Sequence, residues 1–386
     1  MNPLAAQFPL TPGLVMLNHA SFGLGTRRVL QEAAELRQDL ESDPNRHLGP
    51  ELLDRLRAVT RRLAATFGLP PAATTMTANA TTGASALMRS LPLEADQTVA
   101  VLASEYSSVQ RGWELRCREV GARFRLLDVP QPLESADELV ARLDAQIAGR
   151  VAVVQLSLVS STAALLLPVR QLCEWGRSRG ARVVLDAAHG PGHVPLRVDD
   201  WDVDAVYGTL HKWLPTPRPL GFLSLTPELT EVVRPAEVSL SWDSPDLVER
   251  FSWPGTYDPV PRLLLPSALE RWDAWSRAGA IAAAESLADR AAVALTRVGA
   301  VPTAGTGFLP PRLRAFLLPG VRRDDLDREC AAAHVRAWTG LDPGGVTVLR
   351  LAFHVYNDDD DVHAVVTLVE RLLSTARSRD SPRRVT

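Results

Sequence analysis

Lysine is almost absent from this chain. Of 42 basic residues among 386, one is lysine, Lys212, and every other is arginine. Arginine stays protonated at neutral pH and forks onto carboxylates, so it serves wherever a permanent cation is wanted. It cannot shed a proton and act as an amine nucleophile. Using lysine once points to a need for an amine within Tyr207-Gly-Thr-Leu-His-Lys-Trp213, although a biased composition with one surviving lysine would give the same count. Cysteine is scarce too. Cys117, Cys173 and Cys330 are far apart and odd in number, which excludes a disulfide framework and a CxxC metal or redox site. Each falls in a helical-looking stretch and reads as a small buried hydrophobe.

Other absences narrow the class further. No uncharged apolar run reaches the ~20 residues of a membrane span. Met1-Asn-Pro-Leu-Ala-Ala-Gln7 has neither the basic start nor the apolar core of a secretion signal, so a cytoplasmic location is expected. The net charge is only -3, which gives no reason to expect nucleic acid or a membrane as partner. The arginines at 55, 57, 61 and 62 have acids interspersed nearby and read as solvated helix faces. No internal repeat is visible.

What is present is the pattern of an α/β protein. The length suggests two domains. Strand-like runs at 99–102, 123–127, 151–156, 182–185, 205–207 and 220–225 alternate with helical stretches such as 109–117, 135–148 and 169–179. That alternation indicates a mainly parallel sheet with helices on both faces, and ligands of such sheets bind beyond the carboxyl ends of the strands. Near residue 262 the pattern changes. A long Ala-rich helix, 266–298, leads to a smaller unit with strand, helix and strand at 316–318, 324–333 and 346–352. Asp358 to Asp361 start a final helix, where acids suit the macrodipole better than they suggest a metal site. The polar, basic tail 377–386 is expected to fray.

Directly after the apolar run Val183-Val-Leu185 comes Asp186-Ala-Ala-His189-Gly190, and Lys212 follows on a later loop. An acid at a strand's carboxyl end and a reactive lysine nearby are what pyridoxal 5′-phosphate requires. The amine condenses with the cofactor aldehyde, and the carboxylate keeps a proton on the pyridine nitrogen. The ring then serves as an electron sink for a carbanion at a substrate α-carbon. Other readings stand beside this one. Asp186, His189 and His193, with Asp199 and Asp200, could ligate a metal, though that would need no lysine. Thr81 and Thr82 alone would be a helix N-cap, and Tyr106 alone a strand-end aromatic. Arg350, within an apolar strand, demands an anionic partner. Asn45-Arg46-His47 could line a pocket or be plain loop.

Taken in order, the motifs resemble the class V aminotransferase family of fold-type I pyridoxal phosphate enzymes, most closely its isopenicillin-N-epimerase-like branch, with lincosamide-pathway members among the relatives. The resemblance runs from Leu17 to Asn357. It rests on Leu185-Asp-Ala-Ala-His-Gly-Pro-Gly-His193, His211-Lys-Trp-Leu214 with Gly221-Phe-Leu223, and Gly255-Thr-Tyr-Asp-Pro259. Asn79-Ala-Thr-Thr82 and Arg350-Leu-Ala-Phe-His-Val-Tyr-Asn357 add to it.

The resemblance implies an arm, 1–28, packed on a small α+β domain, 263–386, and a large cofactor domain, 29–262, with a seven-stranded sheet. It implies that Lys212 bonds the cofactor and moves protons, that Asp186 pairs with the ring nitrogen, and that His189 lies near the phenolic oxygen. Tyr106 would stack on the ring and Ser161 would touch it. Ala80, Thr81, Thr82, Thr209 and His211 would hold the phosphate, joined by Gly255 and Thr256 of a neighbouring subunit in a homodimer with shared active sites. Arg350 would clamp the substrate carboxylate, with Asn18 and His19 beside it.

Three departures matter. Ala164 stands where relatives usually have glycine, Arg218-Pro-Leu-Gly221 replaces the usual Lys-Gly-x-Gly, and no cysteine follows Cys330 to carry a persulfide. Carbanion chemistry on the amino-acid end of a larger metabolite is therefore expected. C–S β-lysis of a cysteine thioether conjugate in secondary metabolism, such as antibiotic biosynthesis, and epimerisation are the leading outcomes. Decarboxylation-coupled deamination, aminotransfer and a non-catalytic, cofactor-binding regulator are the alternatives.

Overall fold

Strands that read as unbroken apolar runs are buried on both faces, and alternate side chains feed two different cores. The computed structural model describes residues 2–380. Its main sheet contains β1 (Thr74–Thr77), β2 (Thr98–Leu102), β3 (Arg123–Leu127), β4 (Val153–Ser157), β5 (Arg182–Asp186), β6 (Ala205–Thr209) and β7 (Gly221–Leu225). The order is β1-β7-β6-β5-β4-β2-β3. β7 runs antiparallel to both its neighbours and all other pairs are parallel. Val99, Val101, Val153, Val184 and Tyr207 pack against the helices Ala80–Ser90 and Ser107–Val120 through Leu87, Val109 and Trp113. Their neighbours Ala100, Leu102, Val154, Leu156 and Leu185 face the opposite way, toward Leu56, Leu63 and Leu172. The two-residue period of a strand produces this division.

β1 was not legible as a strand, because Thr74-Thr-Met-Thr77 looks polar. All four residues are buried. The hydroxyls are satisfied locally, Thr74 donating to the Pro70 carbonyl at 2.8 Å and Thr77 to the Asn79 carbonyl at 2.9 Å. That leaves the β-branched carbons free to pack as in any strand.

A second, antiparallel sheet contains β8 (Leu313–Leu318), β9 (Trp338–Leu341) and β10 (Thr347–Ala352), ordered β9-β10-β8 and extended by Val301–Pro302. The single long helix expected over 266–298 is in fact two, Leu265–Arg277 and Ala280–Val298. Gly279 separates them at φ 75°, a left-handed position that ends the first helix. The last helix spans Asp359–Asp380, so residues 377–380 of the expected frayed tail are helical, and Arg377 donates to the Val298 carbonyl. The rest of that tail, 381–386, lies outside the described residues. No helix among the described residues is long and apolar enough to cross a membrane.

The N-terminal residues lie against the C-terminal part of the chain, with Asn18 bridged to Ala352 at the end of β10. Val15–Met16 pairs in parallel with Val335–Arg336, and Phe8 packs on Trp275 and Tyr356. The chain then passes over the loop bearing Lys212. At Gly23 a Cβ would lie 1.7 Å from the His211 carbonyl oxygen, and φ is +66°. Only glycine fits there, and this contact places Ala20–Phe22 beside the lysine.

Candidate active site

β4, β5 and β6 end at Ser157, Asp186 and Thr209, and all three line one cavity of about 500 Å³ with Lys212 and Arg350. It sits where a ligand of an open α/β sheet belongs. Lys212 is half-buried in the cavity wall, with Nζ 3.4 Å from Nε2 of His189. Burial lowers its amine to about 8, helped by the Arg350 charge and opposed by Asp186 and Glu105. At pH 7 about a tenth of the amine is therefore unprotonated, far more than for an ordinary lysine. Burial, with the Lys212 and Arg350 charges, drives His189 well below the ordinary histidine value and keeps it neutral.

Beneath the lysine lies a buried acidic pair. Asp186 accepts from the Ala188 N–H at 2.7 Å, and burial pushes its carboxyl upward. Glu105 is raised to about 8 by burial and by the nearby Asp186 charge. Gln155 joins Glu105 to Tyr207, donating at 2.9 Å to the carboxyl and 3.1 Å to the phenol oxygen, while its own carbonyl accepts from Trp113 at 3.1 Å. Sequence reasoning missed Glu105, Gln155 and Tyr207. A buried amide within the apolar run Val151–Leu156 needs a polar partner, and that was the available signal.

Arg350, on β10, is buried with no acidic partner among the described residues. Burial alone lowers it to about 10. It donates to the Ser161 carbonyl and, at 3.1 Å, to the Ser21 hydroxyl; its guanidinium lies 5.0 Å from the Trp338 ring, and its Nε has no partner. An unneutralised buried guanidinium is a site for an anion. Ser21 and Trp338 were not singled out from sequence, because only the passage at Gly23 and the strand β9 bring them here.

At the far end, the helix Ala80–Ser90 points its N-terminus into the cavity. Asn79 is its cap, accepting from the Thr82 N–H at 3.0 Å, so the capping residue precedes the expected threonines. Ala80 and Thr81 line the cavity, whereas Thr82 bonds back to Asn79. Thr209 donates to the Ala188 carbonyl at 2.8 Å, and His211 Nδ1 lies 2.7 Å from the Leu220 carbonyl. Burial first, and Lys212 and Arg218 among further causes, bring His211 to about 4. Tyr106 and Ser161 also line the cavity.

Other expected residues are not gathered here. Gly255 and Thr256 lie outside this cavity, and Thr256 is exposed. Asn18 accepts from Ser21 at 2.7 Å, and His19 is buried behind the site, stacked on His354 at 3.8 Å; neither lines the cavity. Arg46 and His47 bond Glu51 in a separate short helical segment. The two ring nitrogens of His193 are engaged, Nδ1 with the His189 carbonyl and Nε2 with the Arg312 N–H, which withdraws it from the metal reading. The three thiols are buried, pushed up by burial to about 11, 12 and 11, and none lines the cavity.

The model of the aminotransferase class-V family matches residues 17–365. The chain belongs to that family. Isopenicillin N epimerase of Amycolatopsis lactamdurans is 28% identical over 95% of this chain and 97% of its own length. The Streptomyces clavuligerus isopenicillin N epimerase is 29% identical over 68% of this chain and 69% of its own length. A probable chloroplastic L-cysteine desulfhydrase of Arabidopsis thaliana is 26% identical over 67% of this chain and 58% of its own length. Among solved structures, the cysteine desulfurase CsdA of Escherichia coli superposes with TM-score 0.78 at 24% identity, over 96% of this chain and 98% of that one. The cystine C–S lyase C-DES superposes with TM-score 0.78 at 20% identity, over 95% of this chain and all of that one.

The cofactor is pyridoxal 5′-phosphate, and the residues present fit it. The cavity offers one amine held near neutrality, a buried carboxylate at a strand end, and a helix N-terminus for a dianion. Among the described residues no acidic side chain neutralises Arg350, which leaves it open to an anion.

Proposed function

We propose that this enzyme removes a proton from the α-carbon of the amino-acid end of a larger metabolite and cleaves a C–S bond of a cysteine thioether. Lys212 would hold the cofactor and, once released by the substrate, carry the α-proton. Asp186 would hold a proton on the ring nitrogen. Tyr106 would cover the ring, Ser161 and His189 would face it, and Ala80, Thr81, Thr209 and His211 would receive the phosphate. Arg350 would orient the substrate carboxylate as a fork. When bound, the cofactor supplies an electron sink for the α-carbanion.

The observation that carries the reading is the single acid–base centre. Lys212 and His189 are a pair 3.4 Å apart, whereas Glu105 is bonded to Gln155 and Asp186 would be engaged with the ring nitrogen. Elimination needs one base at the α-carbon, with the sulfur leaving from the neighbouring carbon as a thiol on the substrate fragment. The buried cysteines would not receive that sulfur. Epimerisation needs a proton delivered on both faces of the α-carbon. It is the second reading, supported by the two epimerases among the relatives.

Incubation with a cysteine S-conjugate in D2O, following pyruvate, CO2 and α-deuterium together, separates the outcomes. Pyruvate with a free thiol is expected. Deuterium exchange without pyruvate would replace lysis by epimerisation, and CO2 release would replace both.

A further inference from the structure

His189 touches Lys212 on one side and Trp213 on the other. The Trp213 indole Nε1 lies 3.2 Å from Nδ1 of His189, and Nε2 of the same ring lies 3.4 Å from the Lys212 amine. An indole N–H can only donate, so Nδ1 must carry the lone pair. The ring is neutral, held so above all by burial. A neutral imidazole with a bare Nδ1 carries its proton on Nε2. The lysine therefore meets an N–H donor. A neutral amine can accept that hydrogen bond, while an ammonium would oppose donor to donor.

The indole is itself held tightly. It stacks on His193 at 3.9 Å, and the Arg312 guanidinium, beside β8, lies 4.9 Å from its ring. His354 beyond β10 donates to the Trp213 carbonyl at 3.3 Å, and Arg312 also bonds the Gly192 carbonyl. Trp213 is fully buried. Residues flanking the second sheet thus fix the ring that fixes His189.

We propose that Trp213 is a positioning residue whose indole N–H locks His189 in the Nε2–H tautomer, so that Lys212 faces a donor, which favours its free-amine form over the ammonium. The inference rests on Lys212 being the reacting amine, as above. The other charged groups facing Lys212 are Asp186, Arg350 and Glu105, and none of them changes when Trp213 is replaced by phenylalanine. Without the indole donor, His189 can place its proton on Nδ1 and accept from a Lys212 ammonium through Nε2. One hydrogen bond to a charged group is worth enough to move the Lys212 titration upward by about one pH unit.

The test uses full-length protein freed of cofactor and carrying isotope-labelled histidine. Proton–nitrogen NMR identifies the tautomer of His189, whose signals are assigned by their loss in His189→Gln. The wild type should show a protonated Nε2 and a bare Nδ1, and Trp213→Phe should show Nδ1 protonation. The Lys212 titration, read without interference from any other lysine through a reductively methylated, carbon-labelled sample, should rise by about one unit in Trp213→Phe. A wild-type ring protonated on Nδ1 overturns the proposal, and this requires no variant of Trp213 to fold. An Nε2–H ring and an unshifted Lys212 in folded Trp213→Phe overturn it equally. Failure of the wild-type protein to take up pyridoxal phosphate would instead strike the functional reading, whatever the tautomer.

Discussion

Burial and three charged neighbours act on the Lys212 amine, and their effects can be ranked. Burial lowers it most, the Asp186 carboxylate raises it, Arg350 lowers it, and Glu105 raises it more weakly. Replacing Arg350 by glutamine removes a positive charge, so the lysine should become easier to protonate and its midpoint should move above about 8. The direction distinguishes this site from one where arginine is only a structural strut. The same change removes the buried guanidinium that lies beside Ser21 and Trp338 in the cavity. The kcat/KM for an amino-acid substrate should fall by about 100-fold or more, as expected when one half of a charged hydrogen-bonded pair is lost. A titration of the single methylated lysine gives the first outcome and steady-state kinetics the second. An unmoved midpoint would mean that Arg350 does not share a field with the amine.

At the level of elements, the site depends on two backbone passages that favour different residues. Gly23 lies under a carbonyl and at positive φ, so Gly23→Ala should displace Ala20–Phe22 from Lys212. That displacement should cost cofactor retention and, by the strain expected at such a position, more than about 1 kcal/mol of stability. Ala164 is the opposite case. It sits at φ +51° although it has a Cβ, and that conformation costs about 1–2 kcal/mol for an L-residue. Glycine would relieve the strain but would add about 0.5–1 kcal/mol of chain entropy and lose about 0.8 kcal/mol of methyl burial. Ala164→Gly should therefore change stability by less than about 1 kcal/mol. Chemical denaturation of both variants checks the contrast.

These two positions also mark what the sequence could and could not convey. Ala164 stood out because relatives usually have glycine there, and its unusual φ explains the preference. Gly23 carried no signal, since its partner, the His211 carbonyl, is remote in sequence and belongs to the backbone. β1 and β9 escaped for a related reason. Threonine hydroxyls bonded to nearby carbonyls, and a tryptophan half-covered by an arginine, look like surface until tertiary contacts bury them. The alternation of apolar runs in β2, β4, β5 and β7 was legible because each face has its own core.

For the whole molecule, the decisive question is what covers the loop between β7 and the helix that begins at Leu265. Arg250 is buried and donates to the carbonyls of Ser244, Thr230 and Val233 at 2.7, 2.6 and 2.9 Å. It fastens the loop at both ends. Between those ends Val238 and Leu240 are 81% and 91% exposed, although an anchored loop could have turned them inward. Thr256, in the same connection, is also outside its own cavity. A second copy of this chain would cover the two aliphatic side chains and could bring its Thr256 to the phosphate end of the first cavity. The expected solution species is therefore a dimer of 42.0 kDa chains, checked by sedimentation. Val238→Asp combined with Leu240→Asp should shift it toward monomer and weaken pyridoxal phosphate retention together. Thr256→Ala should weaken retention without altering the mass. A monomeric wild type that binds the cofactor fully would show that each cavity is complete by itself.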